Sequence, residues 1–89
     1  MVWTVKIGDK AKKQLSRLDK SAAKRIINFL QERIVPNEDP RSIGRALKGG
    51  EFGGYWRYQI GSYRVITKMK DNELCVLVVK VGHRKSIYK

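Results

Sequence analysis

Hydrophobic spacing changes from a helical to a strand period midway along the chain, and that change restricts the possible folds more than any single residue does. From Ala11 to Ile34 the apolar residues recur at helical intervals. Ala11, Leu15 and Leu18 stand at i, i+4 and i+7, and Ala23, Ile26, Ile27, Leu30 and Ile34 fall at 0, 3, 4, 7 and 11. Beyond Tyr55 the pattern is that of strands separated by turns. Tyr55 to Ile60 leads to Gly61-Ser62, Tyr63 to Met69 leads to Asp71-Asn72, and Leu74 to Val81 is an almost unbroken apolar run. A β-rich stretch, Trp3 to Ile7, precedes the helices, and Gly8-Asp9 supplies a break and a cap. Asp19 and Ser21 read as a stop and a new cap, and Pro36 to Pro40 as a loop. The expected order is β-α-α-β-β-β. This is an α+β domain with a mainly antiparallel sheet and an N-terminal helical hairpin on one face. The Leu74 to Val81 run is expected at a central position in that sheet. No repeat or linker interrupts the pattern, so residues 1–89 are expected to form one domain.

A chain of 89 residues buries only a modest core. Its single cysteine, Cys75, lies in the last apolar run and is expected to pack there, with no intrachain disulfide. No apolar run approaches the ~20 residues of a membrane span. The N-terminal stretch meets Lys6 too early for the apolar segment of a signal peptide. A reducing, cytoplasmic setting without a membrane partner is the expectation. Charge says more. Twenty Lys and Arg face eight Asp and Glu, a net charge of +12. Folding does not require such an imbalance, which opposes compactness and favours a polyanionic partner. Arg41, Arg45, Lys48, Arg57, Arg64, Lys68 and Lys70 share their stretch with one acid, Glu51. Phe52, Tyr55, Trp56, Tyr58 and Tyr63 are interleaved with them. Cations for phosphates beside rings for stacking suit single-stranded RNA, although at least half of these rings are expected in the core.

Most catalytic sets are missing from the sequence. One histidine allows no two-histidine acid–base pair, and no Cys/His cluster has metal-ligand spacing. Gly49-Gly50 and Gly53-Gly54 lack the spacing of a phosphate-binding loop. The β half offers only Glu51, Asp71 and Glu73 as carboxylates, so a metal-dependent nuclease is not expected, nor any cofactor. Arg, Lys, Tyr and one His suit one reaction in particular. RNA carries its own nucleophile, the 2′-hydroxyl. A protein can cleave it by aligning that oxygen with the neighbouring phosphate and stabilising the added negative charge. Guanidinium groups match phosphate oxygens well but are poor bases. Tyr or His would assist proton transfer, and with so few groups for chemistry an outside structure is expected to orient the substrate.

Two segments carry a family resemblance. Tyr55-Trp56-Arg57-Tyr58-Gln59-Ile60-Gly61-Ser62-Tyr63-Arg64-Val65-Ile66 resembles the YRLRVGDYRVIY block of RelE-like toxins, and Leu47-Lys48-Gly49 the LKG before it. Lys80-Val81-Gly82-His83-Arg84-Lys85-Ser86-Ile87-Tyr88 resembles their terminal VGHRKDVY block. The resemblance to the RelE/ParE superfamily implies a RelE-like fold and a toxin silenced by a cognate antitoxin, here expected to be acidic and RelB-like. It implies metal-independent cleavage of messenger RNA in the A site of the 70S ribosome, blocking translation. Carried over position by position, it places Arg57 and Arg64 at the phosphate and Arg84 at the transition state or leaving group. Tyr88 would stack on a base or join proton transfer, and His83 is a secondary acid–base candidate. Arg45, Lys48, Lys68 and Lys85 are candidate RNA or ribosome contacts. Lys12 and Lys13 are expected on a solvated helix face that helps hold ribosomal RNA, and Tyr63 is expected to be structural. The chain departs from the pattern at Gln59, where many members have Arg, and at Tyr55, where some have Lys. A ParE-like inhibitor of DNA gyrase and a non-catalytic RNA-binding module remain the alternatives.

Overall fold

The structure, a computed structural model, describes residues 2–87. Strand β1 (Thr4–Ile7) leads into helices α1 (Asp9–Arg17) and α2 (Lys20–Phe29), and a π-turn, Leu30–Ile34, prolongs α2. A 3-10 turn, Pro40–Ile43, precedes β2 (Arg45–Ala46), β3 (Trp56–Ile60) and β4 (Tyr63–Lys70). A second 3-10 turn, Asp71–Glu73, joins β4 to β5 (Cys75–His83). The sheet order is β1-β5-β4-β3-β2, with β1 parallel to β5 and every other pair antiparallel. The α+β architecture is the one expected, with β5 inside the sheet. A fifth strand, β2, is added; two residues are too few to leave a periodicity in the sequence.

One sheet face carries the core. Tyr58, Ile60, Val65, Val76, Val78 and Val81 meet Ala11, Ile26, Leu30 and Ile34 from the helical layer. Each large aliphatic side chain buried there contributes about 1.5–3 kcal/mol. The buried positions of the second helix are Ala22, Ile26, Leu30 and Ile34, so Ala22 rather than Ala23 leads the stripe. They recur every four residues, and an α-helix drifts about 40° over that interval. The π-turn, closed by Val35 N–H donating to Leu30 O at 3.0 Å, takes up the drift and keeps Ile34 on the sheet.

Several boundaries differ from the sequence expectation for visible reasons. Trp3 leaves the strand ladder: its backbone N–H donates to Val35 O and its indole Nε1–H to Glu38 O. The cap of α1 is Gly8 itself, packed so closely on β5 that a Cβ would lie 3.1 Å from Val78 O. Asp9 follows in the first turn, where its charge complements the helix dipole. Asp19, expected as the stop, is itself the cap position of α2, and Ser21, expected as the cap, lies inside the helix with its hydroxyl donating to the Asp19 carboxylate. The β4–β5 connection is not a two-residue turn at Asp71-Asn72. It is the 3-10 turn followed by Leu74 at φ 48°, a left-handed residue held by its carbonyl's bond from Thr4 N–H at 2.8 Å.

The pairing of β4 with β5 shifts between Ile66 and Thr67: Ile66 faces Lys80 while Thr67 faces Val78. Val79 is therefore the extra residue of a β-bulge. Strict alternation after Val76 and Val78 would turn Lys80 into the core. The bulge returns Val81 to the core and leaves Lys80 on the opposite face. Where β1 no longer covers β5, Gln14 of α1 accepts the Val81 N–H at 2.7 Å and satisfies the exposed ladder.

Candidate functional site

Alternation along the strands fixes what the second, outer face of the sheet displays. With Tyr58 and Val65 in the core, β3 presents Arg57 and Gln59 outward, and β4 presents Arg64, Ile66, Lys68 and Lys70. Register assembles these into rows. Arg45, Arg57, Ile66 and Lys80 stand side by side across β2, β3, β4 and β5, and Gln59, Arg64 and Gly82 form the next row. Lys68 and Lys6 flank Leu77 on the same face further along. The five strands contain no Asp or Glu. Among the described residues every ion pair within 4.0 Å belongs to Arg41, with Asp71 at 2.6 Å and Asp39 at 3.8 Å. The cations of the outer face are left without acidic partners there, a surface made for an anion.

The side chains are held in different ways. Arg64 folds onto the β3–β4 turn, its Nη1 donating to Gly61 O at 3.0 Å and Tyr63 O at 2.9 Å. That fixes one end of the guanidinium and leaves its remaining donors for a ligand. Arg57 is half-buried, and its Nε–H is enclosed with no hydrogen-bond partner. A buried orphan donor of this kind costs about 1–3 kcal/mol. At the sheet edge beside it lies a cleft of about 320 Å³ lined by Arg33, Arg45 and Arg57 together with Phe29 and Gly44. Gly44 admits no side chain, because a Cβ would stand 2.9 Å from Tyr58 Cε1. Tyr58 is itself fixed by donating to Pro40 O at 2.7 Å, and burial raises its phenol well above the ordinary range.

The C-terminal turn brings the third arginine close. Arg84 N–H donates to Ser62 O at 2.8 Å, tying the residue after β5 to the turn that holds Arg64. Ile87 then folds back and is buried over Gly82, where a Cβ would lie 3.2 Å from Ile87 Cδ1. Arg64 and the Arg84 backbone thus meet at the β3–β4 turn, and Arg57, with Arg45 opposite it, stands one row further along the outer face. His83 is not on that face. Its ring packs edge-on to Tyr63 at 5.8 Å, and its Nδ1 accepts the Lys85 N–H at 3.2 Å. Lys85 and Lys48 are exposed beside the site, in the tail and in the loop before β3. Lys12 and Lys13 are exposed on α1, in the helical layer away from the arginines. Tyr88 lies outside the described residues.

Two features escaped the sequence. Arg33 reads there as an exposed helix residue, but the π-turn carries it to the arginine cleft, where it also stacks 5.8 Å from the Phe29 centroid. Arg41, one of the seven cations of the basic stretch, serves the fold. Its hydrogen bond with Asp71 raises its own pKa and holds the Asp71 carboxyl below the usual carboxylate range. It ties the Pro40–Ile43 turn to the β4–β5 connection. Among the described residues no three His, Cys, Asp or Glu side chains are grouped to share a metal ion, and no helix is long and apolar enough to cross a membrane.

Residues 5–88 match the family model of the ParE toxin of type II toxin-antitoxin systems. The toxin RelG of Mycobacterium tuberculosis is 25% identical over 89 residues, spanning 100% of this chain and 99% of that protein. The toxin-antitoxin complex RelBE2 of M. tuberculosis contains a chain similar in fold, with TM-score 0.84, 23% identity and coverage of 94% of this chain and 100% of that one. A mutant of E. coli toxin RelE in the free state gives TM-score 0.75 at 21% identity, covering 99% and 92%. The archaeal RelE-RelB complex of Pyrococcus horikoshii gives TM-score 0.69 at 27% identity, covering 97% and 99%.

Proposed function

The chain belongs to the RelE/ParE toxin superfamily of type II toxin-antitoxin systems, and from that premise we propose that it is a metal-independent endoribonuclease that cuts messenger RNA in the ribosomal A site. The observation that carries this reading is the outer face whose strands hold no acid and display Arg57 and Arg64, with the Arg84 backbone tied to the turn beside Arg64. The substrate 2′-hydroxyl attacks the adjacent phosphorus, and the 5′-oxygen of the next nucleotide leaves. Arg64, braced by two carbonyls, and Arg57 neutralise the charge that grows on the non-bridging oxygens. Arg84 stabilises the negative charge that develops on the leaving oxygen as its bond to phosphorus breaks. Proton transfer falls to Tyr88 in this reading. His83, turned to the helical side with Nδ1 engaged, is poorly placed for it. With few groups for acid–base work, alignment of the RNA supplies most of the rate, and the ribosome provides that alignment. In its operon the toxin is silenced in the cytoplasm by an acidic antitoxin of the RelB kind, drawn to the +12 surface.

The family model's description favours a second reading, inhibition of DNA gyrase in the manner of ParE. That activity does not require phosphate-directed arginines. The test maps 5′ ends on a messenger RNA incubated with purified protein, with and without programmed ribosomes, beside a gyrase supercoiling assay. Cuts inside the A-site codon that need ribosomes, reduced at least ~100-fold in Arg64→Ala and Arg84→Ala, are expected. Gyrase inhibition without any cut would replace this reading with the second.

A further inference from the structure

The five rings interleaved with the basic stretch separate into two sets. Trp56, Tyr58 and Tyr63 pack against the core. Tyr55 alternates with Trp56 and so stands on the outer face two residues, ~7 Å, before Arg57 on the same strand line. Phe52 joins it: the two rings meet edge to face at 5.8 Å, and both are only half-buried. Lys80 Nζ lies 5.4 Å from the Phe52 centroid, so the loop curls over the row that also holds Arg57 and the buried Ile66. The loop is shaped for this. Gly49, Gly50 and Gly54 have positive φ, and the Leu47–Tyr55 and Gly54–Leu47 backbone bonds clamp its base at 2.9 and 3.0 Å.

We propose that the Phe52–Tyr55 pair is a nucleobase-stacking subsite, which seats the base next to the phosphate held by Arg57 and selects among bases by their stacking strength. This rests on the RNA-cleaving reading and names its specificity element. The core cluster against the helices does not include these rings, since they sit on the other face of the sheet. Paired half-exposed rings with a cation beside them are what single-stranded nucleic acid stacks on. Tyr55 also stands where some RelE-like toxins have Lys, so a ring takes the place of a charge relative to those members.

The test uses the full chain and a fluorescein-labelled twelve-nucleotide single-stranded RNA, made uncleavable by 2′-O-methylation, with a second copy carrying one abasic position. Phe52→Leu and Tyr55→Leu keep an apolar side chain and remove the π-face; thermal midpoints verify that each is folded. Each is expected to weaken binding of the intact strand by roughly 5- to 100-fold. Binding of the abasic strand should change little when the missing base is the one stacked, and Tyr55→Phe should restore wild-type binding. On programmed ribosomes the same variants should redistribute the cut positions. Equal losses on intact and abasic strands placed at every position, or no loss on either, overturn the subsite. Unchanged cut positions while the wild type still cuts also overturn it and leave the cleavage reading standing. A wild type that cuts nothing removes the cleavage reading itself. Absence of RNA binding by the wild type removes the subsite.

Discussion

Replacing Arg57 by Met should make the protein more stable and inactive at once. The Arg57 Nε–H is buried without a partner, and Arg45 stands directly opposite across β2 and β3. Removing an orphan buried donor recovers about 1–3 kcal/mol, and removing a like-charged cross-strand neighbour adds a few tenths up to about 1 kcal/mol. Arg57 is only half-buried and Arg45 is exposed, so the low end applies to both, about 1 kcal/mol together. The unbranched Met stem fills the space of the arginine's methylenes, so little packing is lost. For a domain of this size 1 kcal/mol corresponds to a rise of about 4–8 °C in the thermal midpoint. Cleavage, measured on programmed ribosomes, should fall by about 100-fold or more. Arg57→Ala should lose the activity equally but gain less stability, because the stem packing goes too. A lowered midpoint for Arg57→Met would refute the reasoning, since it would mean the guanidinium stabilises the fold rather than straining it for function.

Tyr58→Phe leaves the Pro40 carbonyl without its donor and should lower stability by about 1–3 kcal/mol, read by urea unfolding with an unchanged slope. Gly44→Ala drives a methyl to 2.9 Å from the buried Tyr58 ring, which its hydrogen bond holds in place; a loss of about 1–3 kcal/mol is expected, and none if the turn can shift freely. The Asp71 carboxyl is held below its ordinary pKa by Arg41, so its contribution is complete above the usual carboxylate range and disappears as pH falls through the lowered value. The small midpoint difference between the wild type and Asp71→Asn should therefore shrink as pH falls below the usual carboxylate range, and a difference that grows on acidification would contradict the pairing. Arg64→Ala should reduce the dependence of RNA affinity on salt by about one counterion, and an unchanged slope would show that Arg64 touches no phosphate.

Periodicity alone carried the helical hairpin, the three-strand meander and the helix core positions Ile26, Leu30 and Ile34, because burial on one face leaves a repeat in the sequence. Composition carried the basic character of the surface, because a charge of +12 is a property of the chain and needs no geometry. The arginines Arg57 and Arg64 were legible through a motif, and strand alternation then required them to lie outside the core.

Contacts between distant segments left no such repeat. The two-residue strand β2 exists only because Arg45 and Ala46 find β3, and the arginine cleft brings together Arg33 of the π-turn, Arg45 of β2 and Arg57 of β3, which are far apart in sequence. The bulge at Val79, which turns Lys80 outward beneath Phe52, settles a conflict between two registers of β5 that its unbroken apolar run does not reveal. Likewise Arg41 looked like its basic neighbours until Asp71, thirty residues away, was brought to 2.6 Å. The sequence by itself determined which residues must be buried and which charge the surface must carry, since both follow from local spacing and composition. Tertiary structure decided which cations share a face, which ring stands beside which arginine and which donor is left unpaired. Those relations depend on register between strands, and a one-residue slip would reverse every one of them.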